Sequence, residues 1–132
     1  MTVGDKANNV VRIPTSVSDQ FFRIFIEFLT PIHNLTDREK DVLAEMIKQR
    51  FILAESIKND EIIDKIMMSN DIRNKIKETC GVSNAFLQVI MGKLRKTGIL
   101  VNDKINPKFI PKNLNREDKS FKFLVYFDLD GK

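Results

Sequence analysis

The sequence predicts an α+β chain, helical as far as residue 97 and strand-bearing after it, on three observations. Apolar residues recur at helical spacing behind Ser, Thr and Asn cap residues from Asp19 to Thr97. The step Gly81-Val82-Ser83 divides two of these helices by a tight turn. After Gly98 the pattern turns strand-like and ends in an alternation of Phe121, Phe123, Val125, Phe127 and Leu129.

Residues 1–17 read as an irregular arm, with Pro14 breaking any helix there, and residues 18–132 as one domain. An added helix occupies 18–34, a helical core 35–98 and a β region 99–129. Ser18 is placed to cap the first helix, Asp19–Leu29. That helix carries two apolar stripes: Phe22, Phe25, Ile26 and Leu29 on one side, Phe21, Ile24 and Phe28 on the other. Leaving one of them wet forgoes roughly 1.5–3 kcal/mol per large side chain. The second stripe therefore lies either under the rest of the domain or against a second copy, making Phe21, Ile24 and Phe28 candidates for a homodimer contact.

Thr30-Pro31 ends this helix, and Thr36 with Glu39 forms a capping box, stapled by Leu35, for a second helix over Asp37–Ile57. Asn59-Asp60 interrupts the pattern before a short third helix, Glu61–Met68. A fourth helix, Asp71–Cys80, aligns Ile72, Ile76 and Cys80, and Gly81 can close it in the left-handed conformation. Ser83 caps the fifth, which turns Leu87, Ile90, Met91 and Leu94 inward and ends at Gly98. Strands are expected at Ile99–Val101, at Lys104–Ile110 beyond a tight Asn102-Asp103 turn, and at Phe121–Leu129.

The net charge of +4 is unevenly spread. Residues 70–122 carry 12 Lys and Arg against 5 Asp and Glu, whereas residues 1–69 carry 9 against 11 and residues 123–132 carry 1 against 2. A charge run of this kind is either a solvated lysine-rich surface or a polyanion-binding face, and here it coincides with the paired helices. No apolar run approaches the roughly 20 residues of a membrane span, and the polar N-terminus has no secretory signal pattern. The single cysteine suits a reducing cytoplasm.

The run IRNKIKETCGVSNAFLQVIMGKLRKTGILV, residues 72–101, resembles the winged helix-turn-helix of bacterial and phage DNA-binding regulators. Leu87, Met91, Leu94, Gly98, Ile99 and Leu100 match its structural positions, with the helix-turn-helix at 71–98 and the β-wing at 99–129. LTDREKDVLAEMI resembles the first helix of such domains and, superficially, the opening of LuxR-type regulators. KINPKFIPKN resembles the wing of MarR-like and plasmid replication proteins, and the whole chain is distantly similar to small winged-helix proteins of tailed bacteriophages.

The resemblance implies a cytoplasmic regulator or replication accessory factor of a bacterium or a phage-infected cell. It would bind double-stranded DNA, as a dimer and without cofactor or metal. It also implies that the fifth helix enters a major groove and presents Asn84, Ala85, Phe86, Gln88, Val89 and, farther along, Lys93 to the bases. Asn84 and Gln88 suit adenine, while Ala85 and Val89 suit a thymine methyl. Arg73, Lys77, Lys96, Lys104, Lys108, Lys112, Arg116 and Lys119 would lie near phosphates. The reading face departs from the usual pattern in lacking Arg and in offering Phe86 and Val89, which equally suit a protein partner, for instance in a virion or a transcription complex.

Other tempting residues read as structure. His33 is the single histidine and has no metal-spaced companions. Cys80 falls on the inward side of its helix, and the methionines fall at core spacing. Asp128 and Asp130 sit at a polar end. No phosphate loop, nucleophile triad or carboxylate pair suggests an enzyme.

Overall fold

The computed structural model describes residues 11–15, 19–30, 33–118, 120–122 and 129, and residues 11–15 are irregular and exposed. The chain is α+β: among the described residues, five helices are followed by a two-stranded antiparallel sheet. The helices are α1 (Asp19–Leu29), α2 (Asp37–Ser56), α3 (Asp60–Met67), α4 (Asn70–Cys80) and α5 (Asn84–Lys96).

Side-chain caps set these boundaries. The Thr36 hydroxyl accepts from the Glu39 N–H at 3.2 Å, and the Glu39 carboxylate accepts from the Thr36 N–H at 2.8 Å, completing the capping box of α2. Asn59, which interrupts the sequence pattern, caps α3 by accepting from the Ile62 N–H at 3.2 Å. Ser69 caps α4 and Ser83 caps α5 in the same way. Each such cap is worth about 1 kcal/mol.

The second helix is the spine against which α1, α3, α4 and α5 all pack. Its Val42, Leu43 and Ile47 meet Phe22, Phe25 and Ile26 of α1, Ile72 and Ile76 of α4, and Leu87, Ile90 and Leu94 of α5 in one core. Arg23 of α1 holds the α1–α2 seam from outside: its guanidinium donates to Asp41 at 2.9 Å and also pairs with Glu27. Lys40 reaches the same Glu27 carboxylate at 3.2 Å.

The second aromatic stripe of α1 does not form one outward face. Phe21 is 8% exposed and belongs to the core, its ring stacked on Phe25 at 5.9 Å and edge-on to Phe121 at 5.6 Å. Ile24 is half-buried and Phe28 is 47% exposed. The returning chain at Phe121 covers the start of the helix, so Phe21 follows the first of the two alternatives, burial under the rest of the domain.

Among the described residues the β region is smaller than its pattern suggests. Strands β1 (Leu100–Val101) and β2 (Lys104–Ile105) pair in the register Leu100 to Ile105 and Val101 to Lys104. Asn102 and Asp103 both take positive φ, 53° and 60°, the two left-handed positions that a tight hairpin turn of this hand requires.

The strand expected to run to Ile110 stops at Ile105. Asn106 takes over the hydrogen bonding there: its backbone N–H donates to the Ile99 carbonyl at 2.8 Å and its amide to the Gly98 carbonyl at 3.1 Å. Its side-chain oxygen accepts from the Lys108 N–H at 3.1 Å. Pro107 has no N–H to continue a ladder, so the chain turns through a 3-10 helix, Pro107–Phe109, that drops Phe109 into the core. Phe121 and Lys122, expected to open the last strand, are not in a strand, and residue 129 lies in a turn. Residues 123–128, like Ser18 and Pro31, lie outside the described part.

Candidate nucleic-acid interface

The site is the turn between α4 and α5, the outer face of α5 and the hairpin that follows it. Gly81 ends α4 at φ 64°, a conformation costing an L side chain roughly 1–2 kcal/mol. Val82 then points inward, 8% exposed, and its N–H donates to the Lys77 carbonyl at 3.1 Å. Arg38, at the start of α2, donates to the Gly81 carbonyl at 2.9 Å. This bond ties the apex of the turn to the spine helix, so the direction of α5 is set by a residue distant in sequence. Arg38 was not among the expected site residues, because nothing in the pattern of α2 distinguishes it from a solvated arginine.

Leu87, Ile90 and Leu94 anchor α5, at 2%, 0% and 0% exposure. The opposite side presents Asn84, Ala85, Phe86, Gln88 and Val89, all exposed, with Phe86 at 39% and Val89 at 65%. At about 100° per residue, Ala85, Val89, Gly92 and Lys96 fall along the outermost line of the helix. A Cβ built on Gly92 would meet nothing within 4 Å, so no contact among the described residues calls for a glycine there. The Asn84 and Gln88 amides make no side-chain hydrogen bond among the described residues.

The expected cations of the site divide into two groups. Arg73, Lys77, Lys96, Lys104, Lys108 and Lys112 form no ion pair among the described residues, and Lys75 of α4, which the sequence reading passed over, joins them. Lys93 and Arg116 are committed elsewhere. Lys93 donates to the Asn34 carbonyl at 3.3 Å and lies 3.8 Å from Glu39, which makes it a brace between α5 and the start of α2. Arg116 grips Glu55 through two hydrogen bonds, of 2.8 and 3.0 Å, and lies 5.5 Å from the centre of the Phe51 ring. Those bonds hold the Glu55 carboxyl below its ordinary range, and they pin the 115–118 loop to the far end of α2. Lys119 lies outside the described residues. Arg95 of α5 sits 3.6 Å from Asp103 and so links the hairpin turn to the last turn of the helix.

A cleft between α3, α4, α5 and the hairpin is lined by Met46, Met67, Met68, Met91 and Leu100, with Arg73 and Arg95 at its rim. Its volume, about 70 Å³, is far below the several hundred Å³ of an ordinary small-molecule site. Cys80 is half-buried and its thiol points to the Asp41 carbonyl at 3.7 Å. Burial first, then the carboxylates of Glu45 and Asp41, push its pKa up to about 11, which makes it a poor nucleophile. The His33 ring packs edge-on against Phe109 at 5.3 Å. Among the described residues no group of three His, Cys, Asp or Glu side chains is arranged to hold a metal, and no helix is long and apolar enough to cross a membrane.

Comparison of the chain with protein-family models, with curated proteins and with solved structures gives no match.

Proposed function

We propose that this chain is a double-stranded DNA-binding protein of the winged helix-turn-helix kind, acting by binding and without catalysis, as a regulator or a replication accessory factor. In this reading α4 and α5 are the helix-turn-helix, α5 enters the major groove, and the β1–β2 hairpin is a short wing. The observation that carries it is the uncovered outer face of α5, flanked on α4, on its own last turn and on the hairpin by cations with no carboxylate partner among the described residues. Unpaired cations repel one another and gain from a polyanion that releases its counterions on binding.

Salt dependence tests this. Affinity of the full chain for a pool of random duplexes should fall steeply with salt, and Lys104→Ala and Lys108→Ala should each reduce the log–log slope by about 1. Absence of duplex binding at low salt refutes the reading.

A second reading, a protein-interaction module within a larger particle or transcription complex, draws on the exposure of Phe86 and Val89. Duplex binding unchanged by Phe86→Ala, together with loss of a co-purifying protein, would favour it.

A further inference from the structure

We infer that α5 selects A·T base pairs through thymine methyl groups and reads no guanine. This rests on the DNA-binding reading above and adds to it a base preference set by named side chains. Residues 84–91 hold no charged side chain, and the first cation of the helix is Lys93, which is tied to Glu39 and Asn34. The side chain that most often reads guanine, an arginine or lysine donating to its two acceptors, is therefore missing from the turns that would face the bases.

The first two turns carry two parallel rows instead. Asn84 and Gln88, four residues apart, form a row of carboxamides without side-chain partners among the described residues. Ala85 and Val89, one residue farther along, form an adjoining row of exposed methyl groups. A carboxamide offers one acceptor and one donor side by side, which complements the N6 donor and N7 acceptor of adenine. Against guanine O6 and N7, both acceptors, one of its two groups is misplaced. An A·T pair presents the adenine edge and the thymine 5-methyl next to one another across the groove. An amide row beside a methyl row matches that order, and no other pair carries a methyl group. Ala85 and Gly92 keep the outer line low on either side of Val89, so the helix can come near enough for its short apolar side chains to touch the groove floor.

The full chain should be used to select duplexes from a random pool at fixed salt. Thymines in the selected site should then be replaced one at a time by deoxyuridine, which keeps every hydrogen-bonding group and deletes only the methyl. A·T pairs should be enriched at the core of the site, and deoxyuridine at one or two of them should weaken binding about four-fold per methyl lost. Val89→Ala, at a position 65% exposed and so harmless to folding, should remove that sensitivity while leaving the salt slope unchanged. A selected site built on G·C pairs, or equal binding of thymine and deoxyuridine duplexes, overturns the inference while leaving DNA binding intact. Failure to bind any duplex overturns this inference and the parent reading together.

Discussion

Gly92→Ala separates what α5 needs for folding from what it needs for binding. Glycine inside a helix is less favourable than alanine by about 0.8–1 kcal/mol, because its backbone loses more freedom on folding. The usual compensation is space, and Gly92 gives none: a Cβ there meets no atom within 4 Å. Its neighbours on the outer line, Val89 and Lys96, project away from the core. The whole propensity gain should therefore appear as stability, about 1 kcal/mol, or a rise in Tm of about 4 °C for a chain of this size. Urea unfolding followed by far-UV circular dichroism measures it, with an unchanged slope and a higher midpoint. The same methyl lies on the line that the proposed groove contact must approach. Overpacking an interface costs about 1–3 kcal/mol, so duplex affinity should fall roughly ten-fold. A variant less stable than the wild type would show that Gly92 is needed inside the chain, and a stabilised variant with wild-type affinity would refute close approach at this line.

Two further outcomes concern the remaining perturbed groups. Cys80, its pKa raised to about 11, should react slowly with a disulfide reagent at pH 8 in the folded protein and fast in urea. Because the folded thiol holds its proton more tightly, its contribution to stability is complete below about pH 9.0, the unfolded value, and is lost as pH rises toward 11. Glu27, lowered by hydrogen bonds from Arg23 and then Lys40, and Glu55, lowered by Arg116, have the opposite sign. Their contribution is present above the unfolded value of 4.5 and disappears as pH falls through their lower folded values. A Glu27→Gln, Glu55→Gln double variant should have a lower Tm than wild type at pH 6 and a smaller deficit at pH 3; a constant difference would show that the ion pairs are not its source.

The helices were legible in the sequence because their signals are local. Caps at Thr36 and Ser83 and a glycine at 81 act within a turn of where they stand, and the helix ends they mark agree with them. The strand expected over Lys104–Ile110 is shorter than its pattern because alternation records which side chains want burial and not what satisfies the backbone. Ile105 and Phe109 are buried as an alternating strand would require, but Asn106 and Pro107 divert the chain into a 3-10 turn between them. The choice between the two alternatives for Phe21 was not legible for a related reason, since no local pattern says that Phe121 will return across it. In the site, the exposed row on α5 follows from helical spacing. The ties from Arg38 to Gly81 and from Lys93 to Asn34 span 43 and 59 residues and leave no local trace.

The Lys93 tie also bears on the choice between a nucleic acid and a protein at this face. Phe86 and Lys93 are seven residues apart, so they lie on one side of α5, about 80–100° from the line of Ala85, Val89, Gly92 and Lys96. Lys93 on that side reaches Asn34 and Glu39, which turns the flank toward the start of α2. Phe86 is accordingly the less exposed of the two apolar residues, at 39% against 65% for Val89. A protein-docking helix places its large aromatic at the centre of the contact, where water is excluded on all sides. Here the centre is held by an alanine, a valine, a glycine and a lysine, and the aromatic is at the margin. A low apolar ridge with amides along one side and a cation at its far end suits the floor of a groove whose walls are phosphate better than it suits a protein pocket.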